Sequence, residues 1–200
     1  MISLTNIKKR FKDHVVFKDL SLRLPDSGLY LFVGENGCGK STLLYILEGL
    51  DDNYEGVYLF DDKNMKLLSD KEKDLLRREE IGVLFSHGNL FSFLTAEQNR
   101  KFNLPSNTLS FTDLPENRSI RGLSGGEELL LALSNELAKN KKAYFLDEVT
   151  SSLDKDNLIK VMEALKRKSR DSLIIMATHD QRIMKTEKQI EIKFEMSEFL

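Results

Sequence analysis

The chain has 200 residues, which is enough for one sizeable α/β domain with or without a small insert. Its 40% apolar and 31% charged residues are typical of a globular chain and not of a disordered one. The formal net charge of −2 gives no broad basic surface, which disfavours a dedicated nucleic-acid-binding protein. A single cysteine excludes an intramolecular disulfide framework. The N-terminus and the short apolar runs predict neither a secretory signal nor a membrane-spanning helix.

Residues 2–24 predict two short strands, and Phe11 lies in a polar stretch of the first one. On its own this aromatic residue fits the edge of a strand, and the functional alternative is a ring that stacks on a nucleobase. A turn at residues 25–28 leads into an apolar run at residues 29–33, which predicts a buried strand. We therefore expect an antiparallel N-terminal β-subdomain ahead of that buried strand.

A glycine-rich loop follows the buried strand and opens a helix at residues 41–47. It has the pattern G-x-x-x-x-G-K-S, in which glycines let backbone N–H groups surround an anion above a helix N-terminus. The lysine is expected to reach the β- and γ-phosphates, and the serine hydroxyl to hold Mg²⁺. Strand, loop and helix together favour a nucleotide site over an ordinary glycine-rich turn. The loop residues are Gly34, Glu35, Asn36, Gly37, Cys38, Gly39, Lys40, Ser41 and Thr42.

Beyond this loop, strand-like and helix-like segments alternate along the chain. Such alternation predicts an α/β fold, a P-loop NTPase with a mostly parallel central sheet and helices on both faces. The predicted strands are residues 57–60, 81–85, 143–146, 173–177 and, at an edge of a sheet, 189–194. The predicted helices are residues 69–78, residues 95–102 with Thr95 as N-cap, a leucine-rich helix that includes residues 129–137, and residues 154–168.

The segment between residues 89 and 122 differs in character from the rest of the chain. Residues 103–118 are rich in Pro, Ser, Asn and Thr and are the least core-like part of the sequence. We interpret the segment as an excursion inside one domain and not as a linker between independent domains. A single domain spanning residues 1–200 is therefore expected, with a shortened helical subdomain inserted at about residues 87–139.

Two carboxylates, Asp147 and Glu148, end one of the apolar strands. Asp147 is expected to hold Mg²⁺ opposite Ser41, and Glu148 to accept a proton from the attacking water. Alone, this pair would indicate the start of a solvated loop, but the P-loop and the apolar lead-in favour the functional alternative. His179 follows another buried strand, and because ligands bind at the carboxyl ends of parallel strands, it is expected to contact the γ-phosphate or position water. Zinc is not expected, because the histidines and the cysteine lack ligand spacing.

A second glycine-containing helix N-terminus is a further candidate anion site. A single chain has no evident use for two such sites on one nucleotide. Two chains arranged head to tail do, since the second site of one chain can close on the nucleotide held by the P-loop of the other. The residues of this second site are Ser124, Gly125, Gly126 and Glu127.

In their order, these motifs resemble the ATP-binding cassette (ABC) ATPases, and in particular the nucleotide-binding domain of a transporter. The resemblance covers nearly the whole chain, from about residue 2 to residue 180. It also implies that Phe11 is the aromatic residue that stacks on adenine. The matching segments are the P-loop, residues 123–127 as the signature, the strand ending at Asp147, the catalytic Glu148, residues 151–154 as the D-loop and His179 as the switch histidine.

The resemblance implies an ATPase that uses ATP and Mg²⁺. Such a cassette forms a homodimer, or a heterodimer with a related ATPase subunit, in which two ATP molecules lie between the P-loop of one subunit and the signature of the other. Closing and opening of this dimer would drive transmembrane permease subunits, which places the chain at the cytoplasmic face of the cell membrane. No nucleic-acid partner is expected.

Several positions depart from the family's usual pattern. Ser86 stands where the family usually has a glutamine that meets Mg²⁺ or water, so it is a further candidate metal contact, and His87 is its alternative. Glu127 replaces a glutamine and Val149 a proline. Because these positions lie in coupling regions and the P-loop and strand-end residues are intact, we expect a competent ATPase with an unusual coupling surface.

Three functions are compatible with the sequence. The first is the ATPase subunit of a transporter. The second is a soluble ABC ATPase for protein assembly, DNA or ribosomes, although the chain has no long coiled-coil insertion, second cassette or basic tail. The third is an ATP-binding regulator whose coupling is altered at Ser86.

Overall fold

The computed structural model describes residues 1–12, 14–86, 89–103, 115, 117–184 and 190–193, which form two sheets and flanking helices. The strands are β1 (Ile2–Phe11), β2 (His14–Leu24), β3 (Gly28–Val33), β4 (Glu55–Phe60), β5 (Lys63–Asn64), β6 (Ile81–Leu84), β7 (Ala143–Asp147), β8 (Leu173–Thr178) and β9 (Ile190–Lys193). The helices are α1 (Lys40–Leu47), α2 (Asp70–Glu80), α3 (Ala96–Asn103), α4 (Gly125–Ala138), α5 (Lys155–Lys168) and α6 (Gln181–Met184), with 3₁₀ turns at Met65–Leu67 and Ile120–Gly122.

The central sheet has the strand order β6-β7-β8-β3-β9, and each neighbouring pair in it is parallel. Ala177 of β8 pairs with Phe32 of β3 on one side and with Asp147 of β7 on the other. These three strands therefore end level with one another. The predicted mostly parallel sheet is confirmed, and β9 lies at its edge as expected.

The second sheet is antiparallel, with the order β2-β1-β4-β5. Its first two strands form a hairpin in which Phe11 pairs with His14. The predicted N-terminal β-subdomain is therefore confirmed, but its first two strands are 10 and 11 residues long and not short. Their polar and apolar residues do not alternate strictly, which hides the full length in the sequence, and the structure accommodates this with register shifts near Ile7 and Lys9.

The core lies on both faces of the parallel sheet, because successive residues of each strand point to opposite sides. On β7, Phe145 packs with the antiparallel sheet and α1, whereas Tyr144 and Leu146 pack with α4 and α5. The leucine-rich face of α4 is buried in this second layer, as the helical spacing predicts. The sheet is thus held from both sides, which fixes the position of its strand ends.

The predicted inserted subdomain lies partly outside the described residues, which omit residues 104–114 and 116, so its boundaries stay a prediction. Its first helix, α3, begins after Thr95, whose hydroxyl oxygen accepts a hydrogen bond from the backbone N–H of Gln98 at 3.2 Å. Among the helices of the described segments, none has the length and apolar character that crossing a bilayer requires.

One acidic side chain lies in the core without a partner. Glu48 directly follows α1, is 0% exposed, and neither carboxyl oxygen has a hydrogen-bond partner among the described residues. Desolvation raises the pKa of Glu48 to about 8, and the nearby charge of Asp147 adds to this shift. The buried carboxyl group is therefore protonated in the folded protein at neutral pH.

We expect the free energy of unfolding to fall with rising pH in the native chain, and to fall less in the Glu48→Gln variant. The folded state binds this proton more tightly than the unfolded state, so the free energy of unfolding of the native chain falls as pH rises from about 4.5 to about 8. Between pH 5 and pH 8 the native chain should lose about 3 kcal/mol relative to the variant. Urea titrations at both pH values, without nucleotide or Mg²⁺, measure this difference.

Glu163→Gln is the control for this measurement, because Glu163 is exposed on α5 and should leave the pH dependence unchanged. If Glu48→Gln shows the same pH dependence as the native chain, Glu48 is not neutral in the folded protein.

Candidate nucleotide site

The carboxyl ends of three strands bring the predicted site residues together. Val33 of β3 pairs with Thr178 of β8, so the P-loop and His179 leave the sheet at the same level. On the other side of β8, Asp147 is the last paired residue of β7, and Glu148 follows it. The parallel register thus places three separate stretches of sequence at one edge of the sheet.

These stretches line one cavity of about 320 Å³, together with the end of the β1–β2 hairpin. The predicted residues that line it are Phe11, Asn36, Gly37, Gly39, Lys40, Ser41, Thr42, Glu148 and His179. The sequence did not predict His14 and Val16, which also line it. His14 pairs with Phe11 across the β1–β2 hairpin. The register of this hairpin would have to be known in order to predict that His14 and Val16 lie at the cavity.

The P-loop surrounds the amino group of its own lysine. Lys40 Nζ donates hydrogen bonds to the backbone carbonyls of Gly34 and Glu35, each at 2.9 Å, and the side chain is buried. The amino group is therefore held inside the loop, at the N-terminus of α1, where positive charge and helix dipole add. This arrangement suits a multiply charged anion such as a nucleotide phosphate chain.

Gly39 has to be glycine for two independent reasons. It caps α1 with a φ of 105°, which lies in the left-handed region that other residues rarely adopt. A Cβ atom at this position would also lie 2.6 Å from Val16 Cγ1, well inside van der Waals contact. The hairpin therefore packs directly against the backbone of the P-loop.

Glu148 and His179 form a hydrogen-bonded pair beside the P-loop. His179 Nδ1 lies 2.8 Å from Glu148 Oε1, and the His179 backbone N–H donates to Glu148 Oε2 at 3.4 Å. Glu148 has a φ of 54°, a strained conformation for a side chain of its size, and its backbone N–H donates to the carbonyl of Ala177 at 3.0 Å. The turn after β7 thus aims this carboxylate toward His179, a contact that the sequence did not predict.

Asp147 has a free ligand position. Its Oδ1 atom is buried and has no hydrogen-bond partner in the described part of the chain. A buried carboxylate oxygen of this kind fits a hard cation such as Mg²⁺, which prefers oxygen ligands and takes only one or two from the protein. Ser41, the other predicted ligand, lines the cavity. No group of three or more metal-binding side chains was found among the described residues.

The signature residues lie away from this cavity. Ser124 caps α4 in a reciprocal pair with Glu127: the Glu127 backbone N–H donates to Ser124 Oγ, and the Ser124 backbone N–H donates to Glu127 Oε2 at 2.8 Å. The hydrogen bonds that the Ser124 backbone N–H and hydroxyl donate to the Glu127 carboxylate hold the pKa of Glu127 below its usual value. None of the four residues Ser124 to Glu127 lines the P-loop cavity. Within one chain the two candidate anion sites are therefore separate.

Arg182 connects the predicted D-loop to the loop that contains the switch histidine. The sequence motifs did not indicate this residue. Its guanidinium group donates to the backbone carbonyls of Thr150 and Leu153 at 2.9 and 2.8 Å. It also pairs with Asp180, the residue after His179, at 2.7 Å. The hydrogen bonds from Arg182 hold the pKa of Asp180 below its usual value. The loops after β7 and β8 are thus connected beyond the sheet.

Three exposed phenylalanines cluster near α3. The Phe91 ring contacts those of Phe93 and Phe102, with centroid distances of 5.7 and 4.8 Å, and the last two side chains are 73% and 67% exposed.

Ser86 is exposed and does not line the cavity, so its contact with a metal stays a prediction. His87 lies outside the described residues.

The chain is similar to transporter proteins of known sequence. A family model described as ABC transporter matches residues 17–151. The lipoprotein-releasing system ATP-binding protein LolD of Leptospira interrogans is 31% identical over an aligned length of 208, and the alignment covers 96% of this chain and 88% of LolD. The macrolide export ATP-binding/permease protein MacB of Campylobacter jejuni is 31% identical over an aligned length of 210, and the alignment covers 96% of this chain. The chain spans only 33% of the length of MacB.

The fold is similar to that of a solved ATP-binding cassette. A dimeric structure of the cassette MJ0796 in a post-hydrolysis state, bound to ADP and Pi, superposes with a TM-score of 0.81 and 25% identity. The match covers 98% of this chain and 94% of that one. Sequence and structure agree with the resemblance that the motifs predict: the chain belongs to the ABC transporter family and forms one of its ATP-hydrolysing cassettes.

Proposed function

We propose that this cassette is the ATP-hydrolysing subunit of a transporter, in which the ATP cycle of two cassettes drives membrane-spanning partner subunits. The observation that carries the proposal is the shared cavity, where the P-loop, the Glu148–His179 pair and Phe11 meet. Phosphate-binding, proton-accepting and base-stacking groups thus face one small volume, as hydrolysis of a nucleoside triphosphate requires.

In this proposal each side chain has a distinct task. Lys40 neutralises charge on the β- and γ-phosphates, and the backbone N–H groups at the start of α1 hold the phosphate oxygens. Glu148 accepts the proton of the attacking water, while His179 holds the Glu148 carboxylate in place and contacts the γ-phosphate. Mg²⁺, when bound by Ser41 and Asp147 Oδ1, supplies positive charge to the phosphates.

The separation of the signature from the P-loop supports a dimer. Ser124 and the two glycines after it form a helix N-terminus that does not line the cavity of the same P-loop, and Ser124 and Gly125 are exposed. A Cβ atom at Gly125 would meet nothing within 4 Å, so the surface is open to an approaching partner. We infer that this N-terminus closes on the nucleotide of a second cassette, and the dimeric state of the MJ0796 structure supports this arrangement.

The names of the relatives favour transport over the soluble alternatives. LolD is named for a lipoprotein-releasing system, MacB for macrolide export, and MetN of Clostridioides difficile, of which the chain spans 63%, for methionine import. We propose that membrane-spanning permease subunits hold this cassette at the inner face of the membrane. The exposed cluster of Phe91, Phe93 and Phe102 is a suitable contact, because exposed aromatic rings are common anchors at interfaces.

Glu148→Gln should reduce ATP turnover by about a hundredfold or more, because the variant keeps the shape of the side chain but loses the proton acceptor. It should still bind ATP and form a stable ATP-bound dimer. Phosphate release measures the first effect and size-exclusion chromatography with ATP and Mg²⁺ the second. Glu163→Gln, on an exposed face of α5, serves as the matched control and should keep native turnover. Native turnover in Glu148→Gln would refute the assigned role.

Phe93→Ser should weaken attachment to the membrane partner by roughly tenfold or more, since loss of a well-placed aromatic anchor typically costs about 2 kcal/mol. The ATPase activity of the isolated chain should not change, because Phe93 lies outside the cavity. The fraction of the chain recovered with membranes from its own cells measures the attachment. Leu67→Ser removes an equally exposed apolar side chain elsewhere and is the control. Native membrane recovery of Phe93→Ser would exclude this cluster from the interface.

A further inference from the structure

A buried lysine lies next to Phe11, one of the residues that line the nucleotide cavity. The side chain of Lys9 is 1% exposed, and its Nζ atom lies 2.8 and 2.6 Å from the two carboxylate oxygens of Asp51. The same atom donates to the backbone carbonyl of Asn53 at 2.7 Å. An ammonium group has three donors, so these contacts satisfy Lys9 completely and fix its position.

The fixed ammonium group lies over the ring of Phe11. Lys9 Nζ is 4.6 Å from the ring centroid, within the range of a cation–π interaction. The Phe11 side chain is nevertheless 50% exposed and lines the P-loop cavity. One part of the ring is therefore held by a buried cation, while the rest remains accessible to a ligand.

The partner of Lys9 belongs to the turn that ends the P-loop helix. Asp51 is connected to α1 by a hydrogen bond from its backbone N–H to the carbonyl of Tyr45 at 3.1 Å. Its carboxylate also accepts the Asn53 backbone N–H at 2.9 Å. The ion pair thus joins the antiparallel sheet to the helix that binds the phosphates, across 42 positions of sequence.

We propose that Lys9 is a positioning residue for the nucleobase: through Asp51 it sets the distance between the Phe11 ring and the P-loop. This inference rests on the proposed base-stacking role of Phe11. A ring that is already oriented loses less rotational freedom when a base stacks on it, so binding is stronger. The cation also draws electron density from the ring, which favours stacking against an electron-rich purine.

The test compares ADP with pyrophosphate, which lacks the base and ribose, by isothermal titration calorimetry in the presence of Mg²⁺. Neither ligand is turned over, so the readout is binding alone. The main variant is Lys9→Met with Asp51→Asn, which removes the cation without leaving a buried carboxylate unpaired. We expect the dissociation constant for ADP to rise by about three- to tenfold and that for pyrophosphate to stay unchanged.

Lys8→Met is the matched control, because Lys8 is the neighbouring residue, is 57% exposed and pairs only loosely with Glu55 at 3.8 Å. It removes the same charge from the same strand and should change neither constant. An equal loss of ADP and pyrophosphate affinity in the main variant would show that Lys9 acts only on the fold, and would overturn the inference. Unchanged binding of both ligands would overturn it as well.

Phe11→Ala separates the inference from the proposed function. If this variant binds ADP as tightly as the native chain, Phe11 does not stack on the base, and the proposed role of Phe11 fails together with that of Lys9. If Phe11→Ala weakens ADP but not pyrophosphate and the Lys9–Asp51 variant weakens neither, the stacking role stands and the role of Lys9 is refuted.

Discussion

The hydrogen-bond register of β3, β8 and β7 is the constraint on which the site depends. Phe32, Ala177 and Asp147 lie side by side, so the loops that follow their strands begin at one level. A slip of one residue in β7 would turn Asp147 to the opposite face of the sheet and carry Glu148 away from His179. The core packs on both faces of these strands and makes such a slip costly, because every buried side chain of β7 would change layers.

The parts of the site that the sequence predicts are those encoded in short runs of residues. The P-loop has its strand, glycines and helix within a few positions, and Asp147 and His179 each follow an apolar run that ends at the same sheet edge. Knowing that strands alternate with helices was enough to place these residues together. The same alternation predicted the parallel sheet. The N-terminal β-subdomain could be predicted from the strand patterns within residues 2–24.

The parts that could not be predicted depend on contacts between distant segments. The Lys9–Asp51 pair joins the antiparallel sheet to the turn after the P-loop helix, and nothing near either residue in the sequence indicates it. Glu48 directly follows the P-loop helix, and only the packed fold shows that this acidic side chain is buried. The left-handed backbone of Glu148 is equally hidden, because it results from the turn between β7 and the buried Val149.

The contact between Gly39 and Val16 has an evolutionary consequence. The hairpin that carries Phe11 lies so close to the P-loop that a methyl group at position 39 has no space beside the valine. Position 39 also requires a left-handed backbone, so a larger residue there is excluded twice. Position 16 has more freedom, but only toward smaller side chains or ones that bend away from the loop. Among descendants of this sequence, variation in the hairpin should therefore be limited by the shape of the P-loop, even where the hairpin never touches a phosphate.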